Sequence, residues 1–229
     1  MRHIAIIPAR AGSKSIINKN LIKLDGKETL VDRAVRLVKE SKIFNQIILT
    51  TDIPTLIEQY SDNKTITLRE RPDNLCTDTA RMFDTIKDCI EHFKLNGWIW
   101  LIQPTSPFRT PYQMRSIKPL VNSEAYASFI SVVDVGAYHP NRVYKRKNKK
   151  LFPIIKTNFD NKQELPELFI RNGLYYIFKA KDLIKHQTFY VTPCYGLVCE
   201  EHESVNIDGP RDFELAKITF KELTYGRVH

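Results

Sequence analysis

Arg10, Ser13, Lys14, Lys19 and Asn20 follow an apolar run, Ile4–Ile7, that Pro8 closes. Arginine and lysine supply fixed positive charge, and the small residues among them, Ala9, Ala11 and Gly12, let backbone N–H groups approach an anion. The chemistry asked for is the binding of a polyphosphate. The loop is not a Walker P-loop, because GSKS at 12–15 lacks the upstream glycine and the Gly-Lys-Ser/Thr order, and the dinucleotide pattern GxGxxG is absent. A second group, Gln103-Pro104-Thr105-Ser106-Pro107, directly follows another apolar run. Its two prolines fix the exit of a buried strand and present an amide and two hydroxyls. A third, Asn206-Ile207-Asp208, has Ile207 pointing inward and its neighbours outward. Asp208 beside the Asn206 carbonyl oxygen suits Mg²⁺ that also bridges phosphates. Asp208 suits equally well the cap of a helix starting at Pro210. The residues leave both readings open.

Elements that bring such loops together alternate along the chain. Strands are predicted at His3–Pro8, Gln46–Thr51, Thr65–Arg69, Trp98–Gln103 and Ala127–Val133, and helices at Thr29–Ser41, Pro54–Tyr60, Asp78–Lys94 and Pro111–Asn122. The Asp78–Lys94 helix has the clearest period, with Phe83, Ile86, Ile90 and Phe93 on one face and Thr77 or Asp78 able to cap it. This alternation predicts an α/β fold: a mostly parallel sheet with helices on both faces. In open sheets of that kind, ligands bind in loops at the carboxyl ends of the strands. Residues 134–167 break the pattern: they are polar, punctuated by Pro140, Pro153 and Pro166, and read as a protruding arm of short hairpins for a partner subunit to cover. Order returns with a strand at Leu168–Phe178, a short helix at Ala180–His186, a strand at Phe189–Val198 and a closing helix at Pro210–Leu223.

The 229 residues suit one domain spanning 1–229 with that arm attached, and 42% hydrophobic with 27% charged residues is an ordinary globular composition. No apolar run approaches the ~18 residues of a membrane span, and the N-terminus runs into a strand without a signal-peptide pattern. Cys76, Cys89, Cys194 and Cys199 lie at no zinc spacing, so reduced thiols in a cytoplasmic protein are the simplest account. A net charge of +9 fits a site for small, highly charged anions. The basic run Arg142–Lys150 lacks the spaced aromatics of a nucleic-acid stacking platform and reads as a solvated loop. His3 and His92 read as strand-start and helix-surface residues, and Trp98 and Trp100 as core or interface.

Taken together, PARAGSK with Lys19–Asn20, RPDNLCTD at 71–78, QPTSPFRT at 103–110, Asn172–Gly173 and the terminal NIDGPRDFELA resemble the acylneuraminate (CMP-sialic acid synthetase) cytidylyltransferases, in order over nearly the whole chain. QPTSP stands where the related ketodeoxyoctonate enzymes carry a QGDEP-type segment, which favours the nine-carbon-sugar branch. The resemblance implies a Rossmann-like nucleotidyltransferase. It would transfer CMP from CTP to the anomeric hydroxyl of a sialic-acid-like 2-keto sugar acid, with Mg²⁺ as cofactor and pyrophosphate as second product. Arg10, Gly12, Ser13, Lys14, Lys19, Asn20 and Arg71 would hold the nucleotide. Gln103, Lys162, Asn172 and Tyr176 would hold the sugar. Asp208 and Asn206 would bind the metal, and Arg10, Lys19 and Asp208 would carry the chemistry. The resemblance also implies a homodimer, with neither nucleic acid nor membrane as partner. The alternatives are a CTP-dependent enzyme for another acceptor and a nucleotide-binding homologue with little turnover. Three departures from the family stand out: Ser15 replaces a glycine, Asn206 replaces the first of two aspartates, and Lys162 replaces an arginine able to clamp a carboxylate.

Overall fold

The computed structural model describes residues 1–155 and 165–226. Its main sheet has seven strands in the order β3-β2-β1-β4-β8-β5-β9. These are β1 (His3–Ala9), β2 (Gln46–Thr51), β3 (Thr67–Glu70), β4 (Trp98–Leu101), β5 (Ser128–Asp134), β8 (Phe169–Lys179) and β9 (Cys194–Val198). Strands β1 to β4 pair in parallel, β8 runs antiparallel between β4 and β5, and β9 lies parallel to β5 at the edge. Sequence order reverses between β1 and β4, which is where an open α/β sheet leaves a crevice. The register ends β1, β2 and β3 level, Ala9 pairing with Thr51 and Thr51 with Glu70, while β4 stops three residues short of them, with Leu101 opposite Ile6.

Helices cover both faces because β1 is apolar on both. Ala5 and Ile7 face α1 (Leu30–Ser41), α2 (Pro54–Tyr60) and α4 (Pro111–Asn122) through Val31, Val38, Leu56 and Met114. Ile4 and Ile6 face α3 (Met82–His92) and α5 (Ala180–His186) through Ile86, Ile90 and Leu183. A third cluster, Leu24, Leu30, Phe108, Ile207 and Ala216, seats α6 (Pro210–Tyr225). Thr29 caps α1, accepting from the Asp32 N–H, and Thr110 and Gln113 cap α4 reciprocally. Within the expected arm, two short 3-10 turns at 136–138 and 140–142 lead into a separate hairpin, β6 (Tyr144–Lys147) and β7 (Lys150–Pro153).

Several expected boundaries move. The third helix starts at Met82, not Asp78, and neither Thr77 nor Asp78 caps it, because Asp78 is drawn instead to Arg10 and Lys14. Strand β4 ends at Leu101. After the Ile102 N–H bonds to Ile6, the proline-rich segment leaves the ladder and frees Gln103. The strand expected from Phe189 begins only at Cys194, past Pro193, which has no N–H to give. Strand β3 shifts to Thr67–Glu70 and β5 to Ser128–Asp134, while α6 runs two residues further, to Tyr225.

His3 is fully buried, its Nε2 2.9 Å from Asn122 Oδ1 and its Nδ1 accepting from Trp100 Nε1 at 3.1 Å. That pattern fixes a neutral ring with the proton on Nε2, and burial pushes its pKa below 6.5. On acidification the unfolded chain takes up the proton first. The stability from His3 is therefore present above pH ~6.5 and lost as pH falls through the lower folded value. The urea midpoint should drop between pH 7.5 and 5, and drop less in His3→Gln; equal slopes in the two proteins would contradict this.

Candidate active site

Each of the four parallel strands delivers a functional side chain just past its last residue. Arg10 follows β1, Asp52 follows β2, Arg71 follows β3, and Gln103 lies two residues beyond β4. The cleft they frame, about 590 Å³ with its open mouth, is lined by Pro8, Arg10, Ser13, Lys19, Asn20, Arg71, Met82, Gln103, Pro104, Thr105 and Asp208. Most of the residues singled out from the sequence thus meet at one place, although 200 positions separate the first from the last.

The loop after β1 is held from beneath. The Ala11 N–H donates to Asp52 Oδ1 at 2.8 Å, and the buried Asn20 side chain donates to the Arg10 carbonyl at 2.9 Å. Asn18, left-handed at φ 52°, turns the chain into the 3-10 turn Lys19–Leu21. Asparagine tolerates that conformation better than most residues. Lys19, only 12% exposed, places Nζ 3.2 Å from Asp208 Oδ1. Lys14, at the loop's outer edge, stays largely exposed, and Gly12 also lies outside the cleft lining.

Arg71 is buried and donates through Nη2 to the Thr50 carbonyl at 3.1 Å, while its Nε has no partner among the described residues. Burial pushes its pKa down, with the nearby Asp52 charge opposing. A buried guanidinium lining a cleft with a free N–H is equipped to meet a ligand acceptor. Cys76, nearby, donates to the carbonyls of Arg71 and Pro72, and burial raises its thiol pKa to about 11, so it is no nucleophile.

The third side of the cleft comes from 206–208. The Ile207 N–H donates to the Thr105 carbonyl at 2.8 Å, which docks this segment against the proline-rich loop. The buried Ile207 side chain leaves Asp208 72% exposed toward Lys19. Asn206 Nδ2 donates to Asp208 Oδ2 at 2.6 Å, and Asn206 Oδ1 accepts from Ser106 Oγ at 3.4 Å. Ser15 Oγ also donates to the Asp208 carbonyl. The reading of Asp208 as a helix cap is overturned: Asp212 Oδ2 accepts the N–H groups of Asp208 and Gly209, leaving the Asp208 carboxylate for the cleft.

Of the expected sugar-side residues that are described, Gln103 lines the cleft and Asn172 and Tyr176 do not. Asn172 is turned to its own backbone and to Ser204, accepting from the Leu174 N–H and donating to Ser204 Oγ. Tyr176 packs in an aromatic row with Phe189 and Tyr190. Lys162 lies outside the described residues. Between them, Gly173 adopts φ +80°, a left-handed backbone that favours glycine.

Sequence reasoning passed over Asp52, Asp78 and Arg109. Asp52 could have been found as the first residue after a strand ending at the functional edge. Arg109 is fully buried and has no carboxylate partner among the described residues. Its Nη2 donates to the carbonyls of Gln103 and Leu174 at 2.9 and 3.1 Å, tying the proline-rich loop to β8. Burial pushes its pKa down to about 10.

The mostly parallel sheet with a cationic cleft at its switch point defines a Rossmann-like α/β protein. A family model described as cytidylyltransferase matches residues 4–192, and the chain belongs to that family. It is 27% identical over 221 residues to an N-acylneuraminate cytidylyltransferase of Streptococcus agalactiae, covering 93% of this chain and 52% of the relative. It is 28% identical over 226 residues to a CMP-N,N'-diacetyllegionaminic acid synthase of Legionella pneumophila, covering 95% of each. The chain thus spans about half the length of the first of these relatives. A CMP:2-keto-3-deoxy-manno-octonic acid synthetase solved with CTP superposes with a TM-score of 0.70 at 12% identity, covering 97% of this chain and all of that one, a likeness of fold.

Arg109→Met keeps much of the volume but strands two buried carbonyls. It should lower the unfolding free energy by about 2–4 kcal/mol, read from urea denaturation. A loss below 1 kcal/mol would refute its role as the tie.

Proposed function

We propose that this protein transfers CMP from CTP to the anomeric hydroxyl of a nine-carbon 2-keto sugar acid of the sialic-acid kind. The observation that carries the reading is the convergence of Arg10, Ser13, Lys19, Asn20, Arg71, Gln103 and Asp208 on one cleft at the sheet's switch point. The acceptors named for the relatives, acylneuraminate and diacetyllegionaminic acid, support the acceptor class. In this reading Arg10, Ser13, Lys14, Lys19 and Asn20 grip the triphosphate and ribose, with the Gly12 backbone among them. Arg71 meets the nucleotide from the cleft floor, and Gln103 meets the sugar, with Asn172, Tyr176 and Lys162 completing its pocket.

The acceptor hydroxyl oxygen forms a bond to the α-phosphorus as the bond to the outer two phosphates breaks. Asp208 is the carboxylate set to take the hydroxyl proton, since no histidine appears in the cleft lining. Charge gathers on the departing pyrophosphate, where Arg10, Lys14 and Lys19 offset it; catalysis is mainly positioning and electrostatics.

The donor set fits Mg²⁺. Asp208 offers an exposed carboxylate, and Asn206 at most a neutral oxygen, its Oδ1 facing Ser106. Among the described residues no three His, Cys, Asp or Glu side chains gather to hold a metal, so substrate phosphates and water must complete its shell. Bound there, Mg²⁺ would add charge stabilisation at the phosphates.

The protein acts as a homodimer in the cytoplasm. The β6–β7 hairpin supports this: it is exposed along both strands and carries Tyr144, Leu151 and Phe152, and an isolated two-stranded ribbon is marginal in water. Among the described residues no helix is long and apolar enough to cross a membrane.

Pyrophosphate release from CTP, assayed with a panel of nine-carbon 2-keto acids, tests the activity. Turnover with none of them, or with another nucleotide in preference to CTP, overturns it. Replacing Arg10 and Lys19 together by alanine should cut CTP affinity by about tenfold to a hundredfold for each lost charged hydrogen bond; unchanged affinity would defeat the assignment. Asn206→Asp sets a second carboxylate against Asp208 and should lower the Mg²⁺ concentration for half-maximal turnover, whereas an unchanged titration rejects the metal assignment.

A further inference from the structure

One carboxylate beside the cleft meets the loop's cations without capping a helix. Asp78 divides its two oxygens between the cations of the phosphate-binding loop, with Oδ1 3.0 Å from Arg10 Nη1 and Oδ2 2.7 Å from Lys14 Nζ. Arg10 Nη1 also donates to the Thr77 carbonyl at 3.1 Å. Asp78 does not cap α3, which starts four residues later from Arg81. Nor does burial demand the pairing, because the Asp78 side chain is 42% and that of Lys14 84% exposed. Lys14, with Arg10 behind it, holds the Asp78 carboxyl below the usual carboxylate range, so it is ionised at neutral pH.

A carboxylate that gives one oxygen to a guanidinium and the other to an ammonium presents the same charge and acceptor pair as two non-bridging oxygens of a phosphate. Ion pairs this exposed are worth little by themselves and exchange easily. The segment around Asp78, between the 3-10 turn Asp73–Leu75 and α3, carries no sheet or helix bonds that would hold it in place. Lys19 is paired similarly with Asp208 on the far side of the loop, but Asp208 already has a role at the metal, whereas Asp78 has none.

Resting on the reading above that the cleft binds a nucleoside triphosphate, we propose that Asp78 is an exchange partner for the nucleotide's outer phosphates. It competes with them for Arg10 and Lys14, yields those cations to the arriving triphosphate, and reclaims them as pyrophosphate departs. Asp78 thereby holds phosphate affinity down and speeds product release. The opposite role, a fixed support that aims Arg10 at the phosphate, predicts effects of the opposite sign.

Calorimetric titration with CTP, inorganic tripolyphosphate and pyrophosphate separates the two roles. Asp78→Asn should bind all three about fivefold more tightly, and the pyrophosphate off-rate should fall in proportion. The gain should shrink as salt is raised and shrink again in a Lys14→Met background. Asp78→Ala, which removes the same charge with a different shape, should change affinity in the same direction, and thermal melts of both variants verify folding. Equal or weaker binding by both folded variants overturns the proposal while leaving the nucleotide site intact. If the wild-type protein binds neither CTP nor tripolyphosphate, the site reading and the proposal fall together.

Discussion

The parallel register of β1 to β4 is the constraint on which the rest depends. Because these strands run the same way, the residues after them have one edge of the sheet to occupy. The reversal of order between β1 and β4 opens the crevice at that edge. Arg10, Asp52, Arg71 and Gln103 are thus gathered by backbone hydrogen bonding before any of them touches another. Helices α1 and α3 on opposite faces keep the sheet dry and stiff, and the α6 cluster around Ile207 brings the chain's far end back to close the cleft.

The second constraint is charge. A loop carrying Arg10, Lys14 and Lys19 repels itself, and the fold offsets this with Asp78 and Asp208, while Asp52 holds the Ala11 N–H from below. The two buried arginines show another solution. Arg71 and Arg109 have no carboxylate in hydrogen-bond contact and direct their donors to backbone carbonyls. Such groups cost desolvation, and here it is spent on fixing loop shape at Gln103 and on keeping a donor available at the cleft floor. Asn206 avoids a separate repulsion: its amide donates to Asp208, where a second carboxylate would repel it.

The elements were legible where local patterning is strong. Continuous apolar runs marked β1, β2 and β4, and α2, α4 and α5 kept their expected limits, since their start signals are local. Legibility failed where a long-range partner outcompeted a local one. Asp78 looks like a helix cap because caps are read from neighbours, yet Arg10 and Lys14, more than 60 positions away, take it. Asp208 reads as a cap from its neighbours too, yet Asp212 supplies the cap instead.

What the sequence alone determined is the chemistry on offer: an apolar strand followed by cations and small residues, a proline-fixed amide, and a late Asn-x-Asp, together specific enough to indicate a family. Those properties are local, carried by side-chain type and by spacing within a few residues. The tertiary structure alone decided the pairings: which carboxylate faces which cation, and that Arg109 ties Gln103 to β8. These depend on distances between segments far apart in the chain, and such distances are set by strand register and helix packing, which no single stretch of residues encodes.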